Sequence, residues 1–443
     1  MAITIRQTPT SPAKANSTVL SLVSSDQSAQ PQYQYVLDIK DSSDTLIQRV
    51  KQQPNTNNRG IFNPSQILVS NLGPTDPVWD VSEVTPNDNC GKEFKLVFGE
   101  QYGTSPSSSV TVYTPDTSGS LYTFALNGSA NDSQLISYNW NSGSKYVERD
   151  ATDDIEFNFQ HGLTSFDTIK LREGDYHTIS FLNGNVNGAE ENATLAQDVY
   201  CMVVKQYDAS GALLDTDTIY NLAGPRTTSV ESWGETYTQQ NQTTRLVHFP
   251  VGYQNLAEAG INFPSQGMSY YTVEFHAQGT DRTPNLNGVW GSYTVNVYEQ
   301  DCDFPGVRFA WKNEWGVWDY YNFDLAESTT TSVERNSYQQ SFVDYSQGGN
   351  SITYNRERRG ENQYYNKISK SRTAQTGYLS QTEADNLREL FFSTDVYLQT
   401  DSGEYWPVVI ENGSVTEKTN PRSQKLFTYS VTYKYANDQQ PRQ

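Results

Sequence analysis

Tyr33-Gln34-Tyr35-Val36-Leu37-Asp38-Ile39, then Asp41-Ser42-Ser43-Asp44, then Thr45-Leu46-Ile47-Gln48-Arg49-Val50 is the stretch that decides the fold class. Aromatic and β-branched residues crowd both arms, and small polar residues separate them. That spacing predicts a β-hairpin with a four-residue loop. The succession of strand, polar turn and strand returns downstream. Residues 200–207 lead into Asp208-Ala209-Ser210-Gly211, and 212–220 run back. The two hairpins hint at related units, although alternation alone does not establish a duplication.

Outward from these hairpins the strand signals continue. Residues 94–98 and 110–113 supply strands after the first hairpin, with the Ser-rich stretch 105–109 as a loop. Residues 155–159, 177–182, 272–276 and 292–298 alternate or run apolar between polar turns. The last third differs. Val307-Arg308-Phe309-Ala310-Trp311 passes through Asn313-Glu314-Trp315-Gly316 into 317–323, a tight aromatic hairpin. One helix is expected at about 381–393. Ser380 and Glu383 form a capping box there, and Ala384, Leu387, Leu390 and Phe391 share a face. In the last strand, 426–435, Phe427, Tyr429, Val431, Tyr433 and Tyr435 take one side.

The fold expected is therefore mainly β. Serial immunoglobulin-like or fibronectin-like β-sandwich domains precede a C-terminal α+β module with one helix on an antiparallel sheet. The expected domains are a sandwich at 1–115, one or more sandwiches at 116–305, and an assembly domain at 306–443, with the first break near 115–119.

Composition narrows the function. The chain has 443 residues, a formal charge of −20, and 30 Tyr, 18 Phe and 8 Trp, an aromatic content that only a folded chain carries. So acidic a surface excludes a protein that coats nucleic acid. No apolar run approaches the length of a membrane-spanning helix, and 1–6 lacks the basic and apolar regions of a signal peptide. Cys90, Cys201 and Cys302 are too far apart for a metal motif or a disulfide framework, and read as buried small hydrophobes. The charge is also uneven. Residues 1–305 hold 16 basic and 34 acidic side chains, whereas 306–443 hold 15 and 17. If one region docks into an assembly, the C-terminal one is favoured.

Catalytic signatures are missing. His161, His177, His248 and His276 stand in no metal-binding spacing, and no nucleophile elbow, P-loop or dinucleotide fingerprint occurs. No catalytic, cofactor or metal residue is assigned. The acidic segments 150–156 and 215–217 do not follow the EF-hand pattern, which leaves an irregular calcium loop or a carboxylate pair as minor alternatives. The run Asn355-Arg356-Glu357-Arg358-Arg359 reads as a solvated or salt-bridging loop. The sharpest anomaly is the aromatic set Trp311, Trp315, Trp318, Tyr320 and Tyr321, joined by Tyr429 and Tyr433 from the last strand. Flat aromatic faces could stack on sugars. Alternation in a hairpin argues more strongly that they fill a core or an oligomer interface.

The 307–323 segment, with its pattern of Trp-x-Asn, x-x-Gly, x-x-Asp and an aromatic strand, resembles virion structural proteins of tailed bacteriophages. Similar patches are 391–398, Trp406-Pro407-Val408-Val409-Ile410, 418–427, 248–256, and the first hairpin with Gly60-Ile61-Phe62-Asn63-Pro64-Ser65. The resemblance implies a non-enzymatic building block located in the virion, tail- or neck-associated. It would assemble with other virion proteins and with copies of itself, without cofactors, nucleic-acid contact or membrane insertion. A host-surface glycan-binding adhesin is the alternative.

Overall fold

The hairpin at 33–50 forms as its alternation requires, in a computed structural model that describes residues 3–9, 12–73, 79–86, 90–114, 120–129, 162–164, 166–182, 199–221, 246–264, 267–278, 284–298, 306–325, 327–341, 343–345, 349–354, 357, 360–400, 404–414 and 428–437. Strand β4 (Gln34–Asp41) pairs antiparallel with β5 (Leu46–Gln52). Tyr35, Leu37 and Ile39 point into the core. Asp38 is buried and survives there because Arg49 grips both its oxygens at 2.6 Å.

The turn of this hairpin is a recurrent device. The Asp41 Oδ1 accepts from the amides of Ser43 and Thr45, at 3.0 and 2.8 Å, and Asp44 takes the left-handed conformation at φ 64°. Asn55 does the same for Asn57 and Arg59, with Asn58 at φ 55°. Asp208 does so for Ser210 and Ala212, with Gly211 at φ 83°. Asn313 does so for Trp315 and Val317, with Gly316 at φ 79°. In each, the first residue's amide donates to the carbonyl four residues on, and its carbonyl accepts from the left-handed residue. A short side-chain acceptor at the first position and Gly, Asn or Asp at the fourth are what this geometry demands.

The chain forms two compact units, Met1–Glu299 with Ala310–Tyr320, and Gln300–Phe309 with Tyr321–Gln443. In the first unit β4 and β5 belong to a six-stranded sheet of order β2-β10-β8-β4-β5, with β9 also on β8. Here β2 is Ala13–Lys14, β8 Gly91–Tyr102, β9 Thr111–Tyr113 and β10 Ser120–Leu126. The expected break near 115–119 thus falls between two strands of one sheet. A three-stranded sheet, β1 (Ile3–Gln7), β3 (Ser21–Ser25) and β6 (Arg59–Phe62), and helix α1 (Ser65–Asn71) share its core, through Val23, Phe62 and Leu68.

The same plan recurs in the first unit. A five-stranded sheet has the order β11-β17-β16-β13-β14, from β11 (Thr168–Leu171), β13 (Val199–Asp208), β14 (Leu213–Tyr220), β16 (Met268–Gln278) and β17 (Pro284–Val297). It shares a core with the three-stranded sheet β12 (Thr178–Leu182), β15 (Leu246–Pro250) and β7 (Thr85–Pro86), and with helix α2 (Tyr253–Glu258). Phe181, Phe249 and Phe275 meet at its centre. The strand expected at 155–159 lies outside the described residues.

A seven-stranded sheet has the order β19-β18-β24-β25-β26-β23-β20, and the second unit holds all of it except residues 310–312 and 318–320. Its strands are β18 (Val307–Lys312), β19 (Trp318–Phe323), β20 (Ser328–Gln339), β23 (Glu361–Gln375), β24 (Val396–Gln399), β25 (Tyr405–Ile410) and β26 (Ser430–Tyr435). A small pair, β21 (Val343–Tyr345) and β22 (Ile352–Tyr354), follows β20. In β26 Val431 and Tyr433 are buried and Ser430 and Lys434 exposed, as the alternation predicts.

The single helix expected at 381–393 is two, α3 (Gln381–Leu387) and α4 (Glu389–Phe392). They part at Arg388, where Phe391 donates to the Arg388 carbonyl and tightens the last turn. The capping box is present. Ser380 accepts from the Glu383 amide at 3.3 Å and donates its own amide to the Glu383 carboxylate at 2.9 Å. Ser380→Ala is expected to lower the stability of this unit by about 1 kcal/mol, read as a fall in urea midpoint at unchanged slope.

Candidate functional site

The 310–320 hairpin tip is where the anomalous residues of the sequence gather. Trp311, Trp318 and Tyr320 are buried, and Trp315 retains 9% of its surface. These side chains pack inward, and none of them presents an open aromatic face. Trp315 joins Cys90, Phe124, Leu126, Leu163, Leu182 and Leu246 in one cluster. The Lys14 ammonium sits 3.7 Å over its ring and 2.9 Å from Glu314, which lets a buried cation find both a π face and a carboxylate. Trp311 meets Phe166 edge-on at 6.0 Å, and the Tyr320 hydroxyl lies 3.0 Å from that of Thr178.

Asn313 holds this arrangement together. Besides closing the turn, its Nδ2 donates to the Leu163 carbonyl at 2.8 Å and to Asp319 at 3.0 Å. The other Asp319 oxygen accepts from Thr164 at 2.5 Å. Gly316 is required twice over, by its positive φ and because a Cβ would run into the backbone of Asn127. The Trp-x-Asn, x-x-Gly, x-x-Asp spacing is thus a joint. It locks a hairpin tip onto 127–128 and 163–164.

Asn255 is a second such joint. Its Oδ1 accepts from the His177 amide at 2.7 Å, while its Nδ2 donates to the carbonyls of Trp79 and Val81. A Cβ on Gly252 would strike the His177 amide and the Asn255 side chain. Asn63 accepts from the amides of Val19 and Ser65, and Gly60 leaves room for the Tyr35 ring.

The remaining candidates fall in the second unit, and none forms an open platform. Tyr433 is buried, donates to Glu327 at 2.6 Å and meets Phe309 edge-on at 5.2 Å. Tyr429 is half-buried and edge-on to Phe391 at 5.5 Å. Tyr321 is half-buried, and burial pushes its phenol well above the ordinary value.

His177, His248 and His276 are buried. His248 pairs with Ser180 at 2.6 Å, and burial pulls its imidazole down to about 4. Both side chains are buried. Burial likewise pushes the thiols of Cys90 and Cys201 up to about 12, against nucleophilic use. Asp215 raises Asp217 alongside desolvation, the larger effect, but no third ligand joins them among the described residues. His161, Cys302, the loop at 150–156 and the patch at 418–427 lie outside the described residues, as does most of the 355–359 run.

What is exposed is a ribbon the sequence reading passed over. All twelve residues of β20 are exposed. Among the described residues its one partner strand is β23, which meets β26 only from Arg372 to Gln375. From Thr330 to Gln339, and from Glu361 to Ser371, the two strands have only each other among the described residues. Tyr338 and Tyr364 stand out at 50% and 66% exposure, with rings 6.1 Å apart. The signal for it was available: 328–345 runs without Gly or Pro, as does 361–375, and Ser, Thr and Tyr occur in both, with Val333 and Val343 in the first and Ile368 in the second.

No protein-family model matches the chain, and no curated protein matches it.

Proposed function

We propose that the chain is a non-enzymatic structural component of a tailed bacteriophage virion, tail- or neck-associated. It acts through protein–protein interfaces in a symmetric oligomer with other virion proteins as neighbours. The observation that carries this reading is the β20–β23 ribbon. A two-stranded ribbon with both faces wet is marginal in isolation, and the β20 edge, long and without Pro or Lys, is a template for another chain. Such an element is useful where a neighbour covers it. The segments behind the bacteriophage resemblance support the same reading, since Asn313, Gly316, Asp319, Asn255 and Asn63 serve joints rather than chemistry.

The two cores, each shared by a larger and a three-stranded sheet, are read as immunoglobulin-like or fibronectin-like sandwiches. The glycan-binding alternative rests now on exposed tyrosines such as Tyr338 and Tyr364. Mass spectrometry of gradient-purified particles tests the proposal. Peptides of this chain at a fixed copy number per particle are expected, and their confinement to the soluble lysate overturns it.

A further inference from the structure

We infer that the β20–β23 ribbon docks on the acidic first unit of a second copy of this chain. The inference rests on the assembly reading above and names the partner of its interface. Charge selects the occupant. The residues of the first unit carry 17 basic and 34 acidic side chains, so two such units repel. The ribbon strands invert the sign. β20 and β23 carry Arg335, Lys367, Lys370 and Arg372 against Glu334 and Glu361. Arg335, Lys367 and Lys370 are exposed. Opposite potentials on two regions of one chain favour a contact in which ribbon meets acidic unit, and disfavour one in which like regions meet.

The size is adequate. Twelve residues of strand reach about 40 Å, and two faces of that length offer on the order of 800 Å², the share one partner contributes to a standard interface. Val333, Tyr338 and Tyr364 supply apolar contact within the cationic surround. Because the two surfaces differ, the contact is heterologous. Repetition from copy to copy closes a ring or extends a filament.

The test uses the full chain. Sedimentation is compared between wild type and the surface variant Arg335→Glu/Lys367→Glu/Lys370→Glu, at low and high NaCl. A second measurement places a photo-crosslinking phenylalanine at Tyr364 in an equal mixture of light and heavy-isotope copies. The triple variant is expected to weaken association roughly a hundredfold, and salt to weaken the wild type. Crosslinks are expected to join light to heavy copies, with the acceptor peptides in 1–299. Unchanged association in the variant, or crosslinks confined to one copy, overturns the docking while leaving the assembly reading in place. A wild type that stays monomeric at every salt and concentration overturns both.

Discussion

Asn313→Ala is expected to cost the first unit about 4 kcal/mol, enough to unfold a marginal domain near physiological temperature. The mutation does not open a large cavity. It removes the partner that Asn313 gives in the interior to the amides of Trp315 and Val317, to the Leu163 carbonyl and to an oxygen of Asp319. Each buried polar group left without its partner costs roughly 1–3 kcal/mol, reduced where the turn can relax toward water. The informative comparison is Asn313→Asp. It keeps the acceptor that closes the turn but replaces the donating Nδ2 with an oxygen facing Asp319 and the Leu163 carbonyl. It should therefore be at least as damaging as Ala at pH 7, and partly relieved in acid. Aspartate serves at positions 41 and 208, where its hydrogen bonds come from its own turn. Thermal and urea unfolding of the three proteins check the ranking. An Asp variant as stable as wild type would remove Asn313 from its assigned role.

Acid is expected to weaken the first unit through His248. Its imidazole is neutral in the fold, with its proton affinity lowered to about 4 by burial, against 6.5 in the unfolded chain. Between those values the unfolded chain binds the extra proton and the fold does not. The contribution of His248 is therefore complete above pH 6.5, declines as pH falls, and is lost by about pH 4. The span corresponds to about 3 kcal/mol at 1.36 kcal/mol per unit. His248→Asn, which can keep a hydrogen bond to Ser180 without titrating, should flatten the stability profile in that window. An unfolding series from pH 7 to 4 with the same slope in both proteins would contradict the assignment.

Local chemistry made part of this molecule legible. Hairpins at 33–50 and 200–220 followed from period-two alternation and the Asp-led turns that close them. Ser380 with Glu383 announced a helix start, and the alternation at 430–435 announced which side of the last strand is buried. What stayed hidden was long-range. Nothing near Thr85 and Pro86 says that they pair with β15, more than 160 residues away, or that Trp79 and Val81 offer their carbonyls to Asn255. Nor does alternation reveal whether a neighbour covers a strand. The pattern of 328–339 would read the same in a sheet with one face packed, and only the placed strand shows that neither face is. For the aromatic hairpin, residue type marked the importance of Trp311, Trp315 and Trp318. In the fold all three are buried.

The proposed self-assembly of this chain can be read from the chain alone. The most direct test is the mass of the purified full chain by light scattering on a sizing column, with negative-stain images of the same fractions. A discrete oligomer with a single ring or fibre symmetry is predicted. A monomer that persists across the concentration range, at low as well as high salt, would contradict the account.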